Sequence, residues 1–232
     1  MHRISLVVFI IDMLRKTEYR NYVTAVLFCL FLLICVGLFI LSYGKHNSFL
    51  IINKYNSPPF DFFFMYFTYL GDGIIWIPVF LYVIFYRRDF LITLIVAVII
   101  CTLLTQGLKH WVFPNEFRPA ATLHQHLHFV NGVIINRSNS FPSGHTSTAF
   151  TLAMLLAFLL KRQFWAYFFP MVALSVGYSR VYLAQHFVTD VFAGMIIGII
   201  SSYLSLAAYE YWRNWRERRE EQKVVAKNSE SS

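Results

Sequence analysis

Long apolar runs recur along this chain, and they limit its possible folds more than any other feature. The hydrocarbon core of a bilayer is ~30 Å thick, so a crossing helix needs roughly 17–25 apolar residues. Runs near that length occupy residues 22–43, 73–86, 90–113, 145–160, 164–183 and 187–209. Hydrocarbon offers no water to backbone N–H and C=O groups, so such runs must close their own hydrogen bonds as helices. The second run is short and holds Pro78, so its start is read as reaching back into the aromatic stretch 60–70. Charged residues make up 14% of the chain, well below the ~25% of a soluble domain.

The reading is an all-α, six-transmembrane-helix bundle with its site at the outer membrane face. Residues 1–21 form a cytoplasmic or interfacial segment, 22–209 the bundle, and 210–232 a basic cytoplasmic tail. The apolar run 4–11 has no small-residue cleavage site after it and is broken by Asp12, so an interfacial helix is preferred to a signal peptide. The tail after Trp212 reads as a solvated helix at the membrane surface, and residues 227–232 as disordered. Cys29, Cys35 and Cys101 all fall within spans, as small packing residues rather than a disulfide framework.

Twenty Lys and Arg against twelve Asp and Glu give a net charge of +8. The placement of this charge argues against a nucleic-acid partner. With both termini inside, only Lys45, Lys54, Lys109, Arg118, Arg137 and Arg180 of the twenty cations lie outside. That bias follows the positive-inside rule.

Three of those six outer cations sit in segments that also carry histidine or helix-start chemistry. Ser179-Arg180 is followed by His186 and then Asp190, between two apolar runs. Ionisable groups at such depth are costly and default to a functional role. The spacing of four predicts that His186 and Asp190 share a helix face. A carboxylate on one imidazole nitrogen fixes the tautomer and leaves the other free. Arg180 supplies a planar cation suited to phosphate oxygens. Lys109 lies near the end of the third run, with Pro114 set to stop that helix and Arg118-Pro119 beyond it. Pro142-Ser143-Gly144-His145 precedes the fourth run, where helix-start amides around Ser143 and Gly144 make an anion site beside His145.

Taken together, Lys109…Arg118-Pro119, Pro142-Ser143-Gly144-His145 and Ser179-Arg180…His186…Asp190 resemble the three signature motifs of the type 2 phosphatidic acid phosphatase (PAP2) superfamily. The first motif departs from the pattern: eight residues, 110–117, separate Lys109 from Arg118, where the family has about six. The resemblance implies a membrane lipid phosphate phosphatase with no cofactor and no metal. Its partners would be a lipid phosphate and the bilayer, with no obligate protein partner. In the implied mechanism His186 attacks phosphorus, Asp190 holds its other nitrogen, and His145 protonates the leaving oxygen. Lys109, Arg118, Arg180, Ser143 and Gly144 would bind the phosphate. Undecaprenyl pyrophosphate is the leading substrate, with lipid A and phosphatidylglycerophosphate as alternatives, in the inner membrane with the site facing the periplasm.

Competing readings are a small-molecule phosphatase of the glucose-6-phosphatase kind, opposed by the short loops, and an inactive transporter or scaffold on the same fold. The latter predicts a lost motif residue, and none is lost. His124, His126 and His128 alternate along the outer loop, but without a fourth ligand they read as polar loop rather than a metal site.

Overall fold

The computed structural model describes residues 17–123 and 127–230. The apolar run 4–11, His124 and His126 lie outside them. The described chain is helical throughout its ordered elements: α1 (Thr17–Lys54), α2 (Pro58–Phe67), α3 (Trp76–Tyr86), α4 (Leu91–Gly107), α5 (Pro119–Thr122), α6 (Gly144–Leu159), α7 (Trp165–Tyr182) and α8 (Val188–Glu230). Two 3-10 turns, Thr68–Gly71 and Gly73–Ile75, join α2 to α3. Counting that bent pair once and leaving out the single turn α5, six helical rods make the bundle.

Among the described residues three helices are long and apolar enough to cross a membrane, Tyr19–Lys54, Arg88–Val112 and Val188–Lys223; the pair Pro58–Gly71 and Gly73–Tyr86, bent by 61°, makes a fourth if it is one span. The chain is therefore a multi-pass membrane protein. Helix α6 is only 16 residues long, and twelve of them are buried. Its first half, Gly144-His145-Thr146-Ser147-Thr148, answers to protein neighbours rather than to lipid, which is why hydropathy alone undercounts the interior rods.

Helix α6 runs through the middle, packed on α7 and α8. The crossing of α6 and α8 is close because Gly194 and Gly198 stand on the facing side. A Cβ on Gly194 would come 2.8 Å from the Ser143 carbonyl oxygen, and one on Gly198 would come 2.9 Å from the Thr151 backbone nitrogen. Small residues four apart let membrane helices approach to backbone contact. At Gly44 (φ 74°) α1 kinks toward its C-terminal end, a conformation open to glycine at little cost.

The end of the bundle away from the motifs is aromatic. Phe90 stacks on Phe158 with centroids 5.5 Å apart, and the edges of Tyr209 and Tyr19 meet the same pair. Asn21 Nδ2 donates to the Leu160 carbonyl at 3.0 Å, and Tyr209 OH donates to Asp89 at 3.0 Å. Arg20, Arg87, Arg88, Lys161 and Arg162 thus gather at one end, while Lys45 pairs with Glu116 at the other (3.0 Å). Helix α8 does not stop at 210: it continues to Glu230, through residues 227–230 that composition reads as disordered. Cys29 and Cys101 are buried and Cys35 is exposed, and none of them is paired.

Candidate active site

His186 and Asp190 meet, but not on one helix face. His186 lies in the connection after α7, and Asp190 is the third residue of α8. Asp190 reaches back to accept the Phe187 backbone N–H at 3.0 Å through Oδ2, the carboxylate half of a capping box. The same oxygen lies 3.3 Å from His186 Nδ1 and takes the Ser140 hydroxyl at 2.5 Å. Thr189 Oγ1 donates to Oδ1 at 3.3 Å. From the other side, the backbone N–H groups of Gln185 and His186 both donate to the Arg180 carbonyl, at 2.9 and 3.2 Å. With Nδ1–H directed at a carboxylate, Nε2 carries the lone pair. The ring is 2% exposed, and burial pushes its proton affinity below the ordinary imidazole range, against the pull of Asp190. It is held neutral.

Two guanidinium groups face this pair. Arg118 is buried and spends its donors on neutral oxygens: Nε on the Ser138 carbonyl (2.9 Å), and Nη1 on the Gln185 carbonyl (3.1 Å) and the Gln185 Oε1 (3.0 Å). Arg180 donates through Nη1 to Thr68 Oγ1 at 2.8 Å, while its buried Nε has no hydrogen-bond partner. Among the described residues neither arginine forms a salt bridge with a carboxylate. Asp190 acts on Arg118 and Asp72 on Arg180 without contact; a buried cation with no carboxylate against it is expensive, so the arrangement suits an incoming anion.

Lys109 lies half-buried in a π turn, Leu108–Val112, that continues α4, where the Phe113 N–H bonds the Leu108 carbonyl at 2.8 Å. A π turn takes in more residues than an α turn, so part of the long Lys109–Arg118 spacing is absorbed here and not only in the loop around Pro114. The charges of Lys109, Arg118 and Arg180 all act on His145, and those of Arg118, Arg180 and Asp190 on His186. The three motifs therefore converge at one end of the bundle.

Ser143 also holds the fold together. It is the N-cap of α6 and wholly buried. Its hydroxyl accepts from the Thr146 amide (3.4 Å) and the Thr146 hydroxyl (2.9 Å), and its own N–H donates to the Asp190 carbonyl at 3.1 Å. Ser143 thus ties α6 to α8, and its backbone N–H is spent inside the protein. The Ser147 N–H returns to the Ser143 carbonyl, which leaves Gly144 and His145 as the open amides of the first turn.

Several neighbours escape a motif reading. Ser140 and Gln185 anchor the site from positions beside named residues. Thr68, Gly71 and Asp72 come from the break between α2 and α3. Asp72 did carry a signal, a carboxylate between apolar runs, which the cation-led reading passed over. His128, the described member of the histidine trio, bonds Asp61 through Nε2 at 2.7 Å, and Tyr182 OH donates to the same oxygen at 2.5 Å. No group of three or more metal-ligating side chains occurs among the described residues.

Residues 90–214 match the PAP2 superfamily, a stretch that holds every motif above. The chain is 28% identical over 181 residues to a lipid A 4'-phosphatase of Porphyromonas gingivalis, covering 73% of this chain and 75% of that one. It is also 28% identical to an undecaprenyl-diphosphatase of Sulfolobus acidocaldarius, over 81% of this chain and 91% of the relative. Among solved structures, LpxE of Aquifex aeolicus superposes with a TM-score of 0.63 at 34% identity, over 70% of this chain and 94% of that one. The chain belongs to the PAP2 superfamily, as a membrane phosphatase of that type.

Proposed function

We propose that the protein hydrolyses a lipid (pyro)phosphate, undecaprenyl pyrophosphate before others, through a phosphohistidine at His186. The observation that carries this reading is the pair of buried arginines without carboxylate partners beside a neutral histidine held by Asp190. Arg118, Arg180, Lys109 and the open amides at Gly144 and His145 hold the phosphoryl oxygens and offset charge in the transition state. His186 Nε2 attacks the terminal phosphorus, the P–O bond to the leaving group breaks (the lipid monophosphate for a pyrophosphate, the lipid alcohol for a monoester), and His145 gives its proton to the departing oxygen. Water then attacks the phosphohistidine, His145 takes its proton, and the P–N bond breaks to return neutral His186.

A lipid substrate is supported by the surroundings of the Thr68–Gly71 turn, which touches Arg180. A cavity of about 390 Å³ lies between the bent pair and helices α6 and α7, lined by Phe67, Leu70, Val79, Leu152, Phe169 and Val176 among others. Outside it, Phe60, Phe62, Phe63, Tyr66 and Tyr69 are exposed, as rings at a membrane interface are. A chain lying sideways between the helices would use both. The charge bias supports an orientation with both termini cytoplasmic and the site facing the periplasm or exterior.

Undecaprenyl pyrophosphate is supported by the archaeal relative, and a lipid A phosphate by the Porphyromonas one; phosphatidylglycerophosphate stands behind them. Purified protein in detergent, given each of these and a soluble short-chain phosphomonoester, tests the reading through kcat/KM. The pyrophosphate should lead, and every lipid should exceed the soluble ester. Equal values across lipid and soluble esters would replace the lipid reading with a small-molecule one.

A further inference from the structure

The break between α2 and α3 forms a wall of the site that none of the three motifs describes. Thr68, in its first turn, accepts the Arg180 Nη1 at 2.8 Å. At Gly71 the backbone presses against the start of α6: a Cβ there would come 2.6 Å from the His145 carbonyl oxygen and 2.9 Å from the His145 Cβ. Only a residue without a side chain fits. The next residue, Asp72, places Oδ2 3.8 Å from His145 Nε2. Three successive contacts from one four-residue turn and its cap thus reach two residues of the phosphate site.

We infer that Asp72 is the positioning residue for His145, orienting its ring and favouring the protonated form that gives a proton to the leaving oxygen. The charged groups that face His145 are the cations Arg180, Arg118 and Lys109 and the carboxylate of Asp72. Burial first, and then the cations that bind phosphate, oppose a proton on His145, and among the described residues Asp72 is the one anion acting against them there. A phosphatase that concentrates positive charge on its substrate needs such a counterweight to keep its general acid loaded. The bend at Asp72 supplies it: a straight helix through 58–86 would not turn this carboxylate inward beside a glycine that touches α6.

The inference rests on the phosphohistidine reading and deepens it. Its test is Asp72→Asn, nearly equal in size, compared with Asp72→Glu and with His145→Ala as reference. Each variant is assayed on an alkyl lipid phosphate and on an aryl phosphate, whose phenolate leaves with little help from an acid. Asp72→Asn should lose about tenfold or more in kcat/KM on the alkyl ester, within the ~10²–10⁴ that a general acid contributes. It should lose less than about threefold on the aryl ester. The basic limb of its kcat/KM profile should move to lower pH, and Asp72→Glu should recover part of both effects. Equal losses on the two esters with an unmoved basic limb would mean that Asp72 serves Arg180 or the fold, and would overturn the inference. If His145→Ala itself left the alkyl ester untouched, the general-acid reading would fail first, and the two failures are distinguishable.

Discussion

The two ends of the bundle treat arginine in opposite ways. At the tail end of α8, Arg213, Arg216 and Arg219 lie over the rings of Tyr209, Trp212 and Trp215, the last at 4.3 Å from the centroid. Each ring stands four residues before its cation, the helical neighbour spacing. Arg213 also pairs with Glu210. Each of these cations has a ring beside it; Arg216 and Arg219 are exposed, and the Arg213 side chain, 28% exposed, also has its carboxylate. At the other end Arg118 and Arg180 are each 8% exposed, and the contacts they make are with neutral oxygens. An exposed, partnered cation adds little to stability, ~0–1 kcal/mol. A buried one without a counter-ion lowers stability until an anion arrives, and proteins keep such groups where they bind or react. The contrast sets an end whose cations suit an incoming anion against an end whose cations are already matched, independent of motif.

The largest effect should come at the nucleophile. His186→Ala should abolish turnover while the purified protein elutes and melts as the wild type does; more than a trace of activity would remove His186 from its role. Asp190→Asn should follow closely. An analogous loss of tautomer control costs about 10⁴-fold in the serine protease triad, and here the change also weakens the cap on Phe187 and the bond from Ser140. Arg180→Gln should cost roughly 10²–10³ in kcat, the range for removing one preorganised donor to a transition-state oxygen. An unchanged kcat would mean that the unpartnered Nε serves no ligand.

A pH titration probes the same burial by another route. The His186 imidazole should stay neutral between about pH 7 and 5, where an unperturbed ring takes up its proton near 6.5, and ¹⁵N shifts of a histidine-labelled sample would report it. Because the unfolded ring binds that proton and the folded ring does not, stability should decline as pH falls below about 6.5. A ring that titrates normally would mean that it is solvated. The smallest effect belongs to the other end. Arg216→Ala and Arg219→Ala should leave kcat unchanged and move stability by no more than about 0.5 kcal/mol, as exposed substitutions do.

How much of this was legible in sequence depended on how each feature is encoded. Arg180, His186 and Asp190 announced themselves as charges between apolar runs, and their meeting survives although the helix starts two residues after His186. The bundle was legible from its apolar runs, and the run 145–160 marked α6 (Gly144–Leu159) although an interior rod packs through Gly, Ser and Thr and needs no lipid-facing surface. At Ser143 the motif shows a helix start but not that α8 passes behind it and takes its amide through the Asp190 carbonyl. The wall from Thr68 to Asp72 was least visible. Its function depends on a 61° bend that brings Gly71 against α6, and no local pattern states where a break will land.

The central claim is that the unpartnered cations serve a phosphoryl group in transfer to His186. Rapid quenching of His145→Ala protein with a ³²P-labelled aryl phosphate tests it directly, because the phenolate leaves with little help from an acid while loss of the base that activates water should leave the intermediate standing. The account predicts label that is stable in alkali and lost in acid, mapping to the peptide that contains His186 and absent when His186→Ala is added. Label on another residue, or product release with no labelled protein at any time point, would contradict it.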